Sequence, residues 1–177
     1  MTVWVKTTLT SRGFLRGLGE VFAHIWAYGL RVFWPLGIVN GVEEFAHWLN
    51  SLPARDGGVR VLRVMSHGHS LATLDGTVVG SDISVGKTEN IRSDDFDKDG
   101  NLLATPHAQQ TAKLLDAFKA SVSPNGRLIF SACEQGTGRL LQHISQHVDK
   151  HVSVEGWSRL GFPWLRGDMF YKDGAQQ

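Results

Sequence analysis

Hydrophobic positions along the chain first predict its strands. Apolar and polar residues alternate over Thr2–Thr7, which is typical of a short strand with one buried face. The run Val59–Met65 is nearly continuous in β-branched and apolar residues and predicts a strand that is buried on both faces. Two further apolar strands are predicted at Arg127–Ser131 and Val152–Glu155.

Helical spacing separates these strands. Apolar residues three and four positions apart predict helices over Phe14–Trp26, Val42–Leu52 and Arg139–Lys150. Another helix begins at Thr105-Pro106, because threonine is a good N-cap residue and proline is accepted at the first helical position. The alternation of strands and helices predicts an α/β fold, with a mostly parallel sheet and helices on both faces.

Turn and loop signals fall between Met65 and the helix at Thr105. Asp75-Gly76 predicts the turn of a β-hairpin. Ser81 to Gly100 is polar and rich in glycine and aspartate, and we interpret it as a long surface loop.

The most apolar segment runs from Val21 to Val39. It contains Arg31 and Pro35, and a central arginine is costly in lipid, so we interpret it as a buried helix to about Phe33. The alternative is an apolar surface that docks on a membrane or on a delivery partner, with aromatic anchors at Trp26, Tyr28 and Trp34.

Length and composition limit the classes of protein. The 177 residues predict one domain, 1–177, with an apolar helical portion at 1–55 and a core at 56–160. Eighteen basic and seventeen acidic residues give a net charge of +1, which argues against a nucleic-acid partner. A single cysteine excludes a disulfide within the chain and a zinc site built on several cysteines.

The N-terminus lacks the pattern of a secretory signal peptide. We therefore expect a cytoplasmic protein, or one that a dedicated secretion machine exports without a signal peptide. In the second case the protein is a bacterial effector or toxin, and a delivery or immunity partner is expected.

Two of the predicted strands end in residues that carry chemistry. His67-Gly68 follows the strand at Val59–Met65, and Cys133 follows the strand at Arg127–Ser131. Ligands of open α/β sheets bind beyond the carboxyl ends of the strands, where parallel neighbours bring these residues to one edge. An imidazole next to a thiol supports the nucleophilic thiolate. The N–H groups of Gly68 and Cys133 are candidates for an oxyanion hole.

His69 competes with His67 for the role of base. No glycine follows it directly, and we expect its side chain to alternate away from that of His67 if the chain stays extended. The sequence therefore favours a dyad of His67 and Cys133. The alternative is a buried, inert cysteine with a histidine in a loop.

The segments VLRVMSHG and GRLIFSACEQGTG resemble the caspase-like cysteine peptidases, a group that includes caspases, separases, CHAT-domain proteases and toxin autoprocessing domains. Members place His-Gly after one core strand and Cys after the next, often as Ser-Ala-Cys followed by Thr-Gly. The resemblance covers roughly Val59 to Trp157.

This resemblance implies a caspase-like three-layer sandwich and a peptidase that acts on a peptide or protein substrate and requires no cofactor. His67 is then the base, Cys133 the nucleophile, and Gly68 with the Cys133 backbone the oxyanion hole. The segment after the third strand sets specificity, and its candidates are Glu155, Trp157, Ser158 and Arg159. The alternatives are an interaction protein that keeps the fold without catalysis, and a membrane-active effector.

An acidic segment resembles the opening of a calcium-binding loop. Asp95, Asp97 and Asp99 occupy its first, third and fifth positions, and Gly100 the sixth. The twelfth position holds Pro106 instead of glutamate, so the segment is not an EF-hand. The alternatives are a truncated calcium site and a solvated acidic turn, which we expect to be mobile without a cation.

Three histidines recur four residues apart, at His143, His147 and His151. This spacing permits zinc binding, but no second cysteine and no His-Glu-x-x-His motif accompanies them. We interpret them as residues of a polar helix face.

Overall fold

The structure is a computed structural model of the 177-residue chain. It describes residues 2–7, 36–52, 58–75, 77–86, 88–131, 139–158 and 168–177. The predicted helix at Phe14–Trp26, most of the apolar segment Val21–Val39, Cys133 and Arg159 lie outside these residues.

Within the described residues, three helices and ten strands are present. The helices are α1 (Val42–Asn50), α2 (Pro106–Ser121) and α3 (Leu140–His147). The first five strands are β1 (Thr2–Thr7), β2 (Leu36–Val39), β3 (Val59–Met65), β4 (Gly68–Ala72) and β5 (Val78–Ser84). The others are β6 (Asn90–Arg92), β7 (Val122–Ser131), β8 (Ser153–Gly156), β9 (Met169–Lys172) and β10 (Ala175–Gln176).

The main sheet has the strand order β10-β9-β8-β7-β3-β1-β2 among the described strands. The five strands β8, β7, β3, β1 and β2 pair with their neighbours in parallel. Strands β9 and β10 add antiparallel pairs at one edge. The prediction of an α/β fold with a mostly parallel sheet is therefore confirmed. The sequence pattern did not predict β2, β9 or β10.

One face of the main sheet forms the hydrophobic core. Its register rows connect apolar residues on adjacent strands, and each of these residues is fully buried: Val3, Val5, Leu62, Val64, Leu128, Phe130 and Val154. Buried side chains of all three helices belong to the same cluster, including Phe45 of α1, Phe118 of α2 and Ile144 of α3. Packing of the helices on this face holds in place the strands that carry the candidate site.

The opposite face of the sheet carries polar and apolar side chains. Arg63, Ile129 and Glu155 lie in one register row across β3, β7 and β8. Ile129 is fully buried and Glu155 is 1% exposed, although neither belongs to the core cluster. Buried side chains on both faces are typical of a parallel sheet that is covered on each side.

The predicted surface loop at Ser81–Gly100 is wrong. Strands β4, β5 and β6 form a three-stranded antiparallel sheet, and the hairpin between β4 and β5 turns at the predicted place. Ile83 and Ile91 are fully buried in the main core, so this small sheet packs inside the domain. The hydrophobic pattern did not predict these strands because the side chains on one face of the small sheet are mostly polar.

The described helices lie close to their predicted positions. Thr105 caps α2 as expected, since its hydroxyl oxygen accepts a hydrogen bond of 3.1 Å from the N–H of Ala108. In α1 and α3 the helical residues end a few positions before the predicted ends. None of the helices in the described ranges is long and apolar enough to cross a membrane.

Candidate active site

The carboxyl ends of β3 and β7 lie side by side. Met65 and Ser131 are register partners on these parallel neighbours, and the N–H of Ser66 donates a hydrogen bond of 3.4 Å to the carbonyl of Ser131. His67 follows Met65 by two residues, and Cys133 follows Ser131 by two residues. The structure therefore confirms that the two motif-bearing strands are parallel neighbours that end at the same edge.

The backbone around Gly68 is fixed by the β4–β5 hairpin. The N–H of Ser84 donates to the carbonyl of His67 at 2.8 Å, and Gly68 lies opposite Ile83. In an antiparallel ladder hydrogen-bonded pairs alternate with non-hydrogen-bonded pairs, so Gly68 occupies a non-hydrogen-bonded position. Its N–H consequently points away from β5.

The imidazoles of His67 and His69 are neighbours. Their ring centroids lie 6.3 Å apart at an interplanar angle of 45°. The expectation that His69 points away from His67 is wrong, because residues two apart in an extended segment lie on the same face. The candidate site therefore has two imidazoles.

His69 is held by a carboxylate on the adjacent strand. Its Nδ1 lies 2.9 Å from Oδ1 of Asp82, its register partner on β5. A carboxylate only accepts hydrogen bonds, so Nδ1 is the donor and Nε2 is left as the acceptor nitrogen of the neutral ring. The second oxygen of Asp82 accepts a hydrogen bond of 2.8 Å from the amide of Asn90.

The polar contacts continue from Asn90 to the beginning of α2. Nε2 of His107 lies 3.1 Å from the amide oxygen of Asn90, and Nδ1 of His107 contacts the carboxylate of Asp95. Asp95 also accepts from the hydroxyl of Thr111 at 2.7 Å. A continuous row of hydrogen-bonded side chains thus links the candidate site to a helix more than thirty residues further along the chain.

The sequence reasoning missed Asp82 and Asn90. Counting outward from a two-residue turn at Asp75-Gly76 gives partners whose numbers sum to 151, as 69 and 82 do. In the structure, however, Ala72 pairs with Val78, and a register shift between Leu71 and Ala72 is needed to bring His69 opposite Asp82. Asn90 belongs to β6, which was not predicted.

The residues predicted to set specificity have different surroundings. Glu155 is buried, and its two carboxylate oxygens accept from Nε and Nη2 of Arg127 at 2.6 and 2.7 Å. Ser158 donates through its N–H and its hydroxyl to Asp168, at 2.7 and 2.5 Å. The indole Nε1 of Trp157 is buried and has no hydrogen-bond partner among the described residues.

Two arginines and a glutamate interact across the strands near the end of β7: Arg63, Arg127 and Glu155. Nη1 of Arg63 donates to the hydroxyl of Ser131 at 3.1 Å. Burial lowers the pKa of Arg63, the charge of Arg127 lowers it further, and Glu155 acts in the opposite direction. The hydrogen bonds to Glu155 raise the pKa of Arg127.

The three aspartates of the predicted calcium loop have different surroundings. Asp95 is buried in the row described above. Asp97 accepts from the N–H groups of Asp99 and Asn101, both at 2.9 Å, and from the side-chain amide of Asn101 at 3.0 Å. Asp99 is exposed next to Lys98. No group of three metal-ligating side chains is found in the described part of the chain, and calcium binding stays a prediction.

His143 and His147 pack against Phe96 of the acidic segment. The ring of His143 stacks on Phe96 with centroids 5.2 Å apart, and Nε2 of His147 donates to the carbonyl of Gly100 at 2.7 Å. Gly100 has a φ of 89°, and a Cβ there would lie 1.9 Å from Oε1 of Gln146. These contacts hold the segment against α3, and His143 is buried instead of lying on an exposed polar face.

Comparisons with models of protein families, with curated proteins and with solved structures find no match for this chain. Arguments about its function therefore depend on its own residues.

Proposed function

We propose that this protein is a cysteine endopeptidase in which His67 is the base and Cys133 the nucleophile. The observation that carries the proposal is the register of β3 and β7, in which Met65 and Ser131 are partners. Neighbouring strands lie about 4.8 Å apart, and two residues extend at most about 7 Å. Both residues thus follow the same edge of the sheet within a short length of chain.

The proposed reaction passes through a thioester. His67 takes the proton of the Cys133 thiol, and the thiolate attacks the carbonyl carbon of a peptide bond. The C–N bond of the tetrahedral intermediate breaks as the His67 imidazolium gives its proton to the leaving amine. Water, activated by neutral His67, then hydrolyses the thioester and restores the thiol.

The direction of the Gly68 N–H supports an oxyanion hole. It is turned away from the hydrogen bonds of the hairpin, and glycine has no side chain that keeps a substrate from the backbone. A fixed backbone donor at the developing oxyanion is worth about 3 kcal/mol of barrier in enzymes of acyl transfer. The N–H of Cys133 is the proposed second donor.

Unsatisfied polar atoms support this edge of the sheet as the place where substrate binds. Oγ of Ser66, at the end of β3, and Nε1 of Trp157, at the end of β8, are buried without hydrogen-bond partners among the described residues. Such atoms are uncommon in native proteins, and a functional role is one of the reasons for which they are kept. We propose that they bond to acceptors of the substrate backbone or side chain.

The finer description of the fold is also a proposal. A caspase-like three-layer sandwich is supported by the mostly parallel sheet, by buried side chains on both of its faces, and by a His-Gly pair after β3. Ser131 ends β7 as the first residue of the Ser-Ala-Cys motif.

Alkylation by iodoacetamide tests the dyad, because Cys133 is the only thiol in the chain. We expect His67→Ala to slow alkylation at pH 6.5 about tenfold or more, since the imidazolium no longer stabilises the thiolate. His151→Ala is the matched control, because His151 is exposed before β8, and it should leave the rate unchanged. Equal rates in parent and His67→Ala would overturn the dyad.

Cleavage of a peptide library derived from whole-cell protein, read by mass spectrometry, tests the peptidase activity. New termini should appear with the parent protein and be absent with Cys133→Ala. The residues flanking those termini would define specificity. A library that stays intact with a parent protein whose Cys133 reacts rapidly would argue against peptide hydrolysis.

A further inference from the structure

The second imidazole of the candidate site, that of His69, is held in place by a hydrogen bond and has no role in the proposed dyad. His69 is two residues from His67, its ring is 6.3 Å away, and a carboxylate contacts its Nδ1. The side chain of Asp82 is only 10% exposed, whereas that of His69 is 41% exposed. The carboxylate is therefore shielded from solvent while the imidazole lies between it and the open side.

We propose that His69 and Asp82 form a positioning pair for the candidate site, which keeps a negative charge beside His67 and stabilises its imidazolium. This inference depends on the proposed function, because the imidazolium matters only if His67 acts with Cys133.

The hydrogen bonds are compatible with a net negative pair. A neutral His69 that donates from Nδ1 to Asp82 leaves the pair with the charge of the carboxylate. Both carboxylate oxygens are engaged, one by His69 and the other by Asn90. Two fixed donors hold the charge in one place, and limited exposure weakens its screening by solvent.

Other charged groups lie around this pair. Arg92 is the register partner of Asp82 on β6, and its Nε donates to the amide oxygen of Asn90. His107 contacts the same oxygen through Nε2, and Asp95 lies beyond it. The main chain adds a further link, since the N–H of Ser84 on the strand of Asp82 donates to the carbonyl of His67. Asp82 is thus connected to His67 both by its strand and through the ring of His69.

The effect on the reaction follows from charge. When the imidazolium is stabilised, it can still give its proton to the leaving amine at higher pH. The alkaline limb of the pH–activity profile therefore moves to higher pH. A negative charge also slightly opposes the thiolate, so removing it should move both limbs to lower pH.

The test is an NMR titration of the His67 ring in a Cys133→Ala background, where the thiol cannot couple to it. We expect Asp82→Asn to lower the pKa of His67 by about half to one unit, the size of one unit charge acting across a partly shielded site. His69→Gln keeps both the charge and a donor to Asp82, so it should not lower that pKa. Asp116→Asn removes an exposed charge on α2 and is the matched control.

The outcomes separate this inference from the proposed function. A pKa of His67 that is equal in the parent and in Asp82→Asn would overturn the positioning pair, even if His67→Ala still slows alkylation of Cys133. Failure of the proposed function would appear instead as equal rates of Cys133 alkylation in the parent and in His67→Ala. If Asp82→Asn does not fold, Asp82→Glu, which keeps the charge, should leave the pKa of His67 within a few tenths of the parent value, and a fall as large as that expected for loss of the charge would overturn the proposal.

Discussion

The hydroxyl of Thr111 donates a hydrogen bond of 2.7 Å to the carboxylate of Asp95, which joins the second turn of α2 to the short 3-10 turn at Ser93–Asp95. The same carboxylate contacts His107 and accepts from the N–H of Arg92 at 2.9 Å. At 2% exposure, Asp95 has exchanged water for these partners. It acts as a buried connection between the small sheet and the helix.

Replacing Asp95 should therefore reduce stability strongly. Asp95→Ala leaves the donors on Thr111, His107 and the backbone without their acceptor, and we expect a loss of about 3 kcal/mol in the free energy of unfolding. Urea denaturation of the parent and the variant measures this. Asp94→Ala, at an exposed neighbouring position, is the control and should change stability by less than about 0.5 kcal/mol. Similar losses in both variants would contradict the buried role of Asp95.

The acidic segment shows where sequence reasoning reached its limit. Its aspartates were interpreted from their spacing alone, as calcium ligands or solvated charges. Asp95 is instead buried, because β6 and α2 bring an amide, an imidazole and a hydroxyl to it from other parts of the chain. A one-dimensional pattern does not contain those partners, and a polar strand face looks like a loop when only its hydrophobicity is considered.

The strands that carry the motifs were easier to predict. Val59–Met65 is a strand with the predicted ends, since most of its residues are apolar and buried and only two arginines interrupt the run. The expectation that β3 and β7 are parallel neighbours is confirmed by their register. The relation of His69 to Asp82 depends on the register of the hairpin, including the shift between Leu71 and Ala72, and the hydrophobic pattern does not contain that register.

A side chain from another element caps α1. Its N-cap residue is Gly41, which has no side chain, and the carboxylate of Glu89 accepts from the N–H of Val42 at 2.5 Å. We expect Glu89→Ala to lower the free energy of unfolding by about 1 kcal/mol, the usual value of a lost N-cap. Glu89→Gln keeps an acceptor oxygen and should cost less than half as much. Thermal or urea unfolding of the three proteins would decide, and equal losses in the two variants would contradict a capping role.

Acid should weaken the turn that follows the 3-10 segment. Hydrogen bonds from the side chain and backbone of Asn101 lower the pKa of Asp97 below its ordinary value. A carboxyl whose pKa is lower in the folded state stabilises the fold above its unfolded pKa, and this contribution is lost as the pH falls below about 4. The difference in unfolding free energy between the parent and Asp97→Asn should therefore be larger at pH 6 than at pH 3.

Asp99→Asn is the matched control for that measurement, because Asp99 lies in the same turn and is exposed next to Lys98. Its difference from the parent should stay nearly constant between the two pH values. A constant difference for Asp97→Asn as well would show that the hydrogen bonds of Asn101 do not favour the charged form.

Two ion pairs of the chain differ in burial, and this difference predicts their strengths. Glu155 is 2% exposed where it binds Arg127 through two hydrogen bonds, whereas Glu43 is 76% exposed where it meets Lys113. A double-mutant cycle with Glu155→Gln and Arg127→Met should give a coupling energy of about 1–2 kcal/mol, since the carboxylate is buried and the geometry is bidentate, while the 39% exposure of the Arg127 side chain leaves some screening by solvent. The cycle with Glu43→Gln and Lys113→Met should give about 0.5 kcal/mol or less. Each cycle needs the urea unfolding of four proteins, and 1 M salt should reduce the second coupling proportionally more than the first. Equal coupling energies would mean that the buried position of Glu155 adds nothing to its attraction for Arg127.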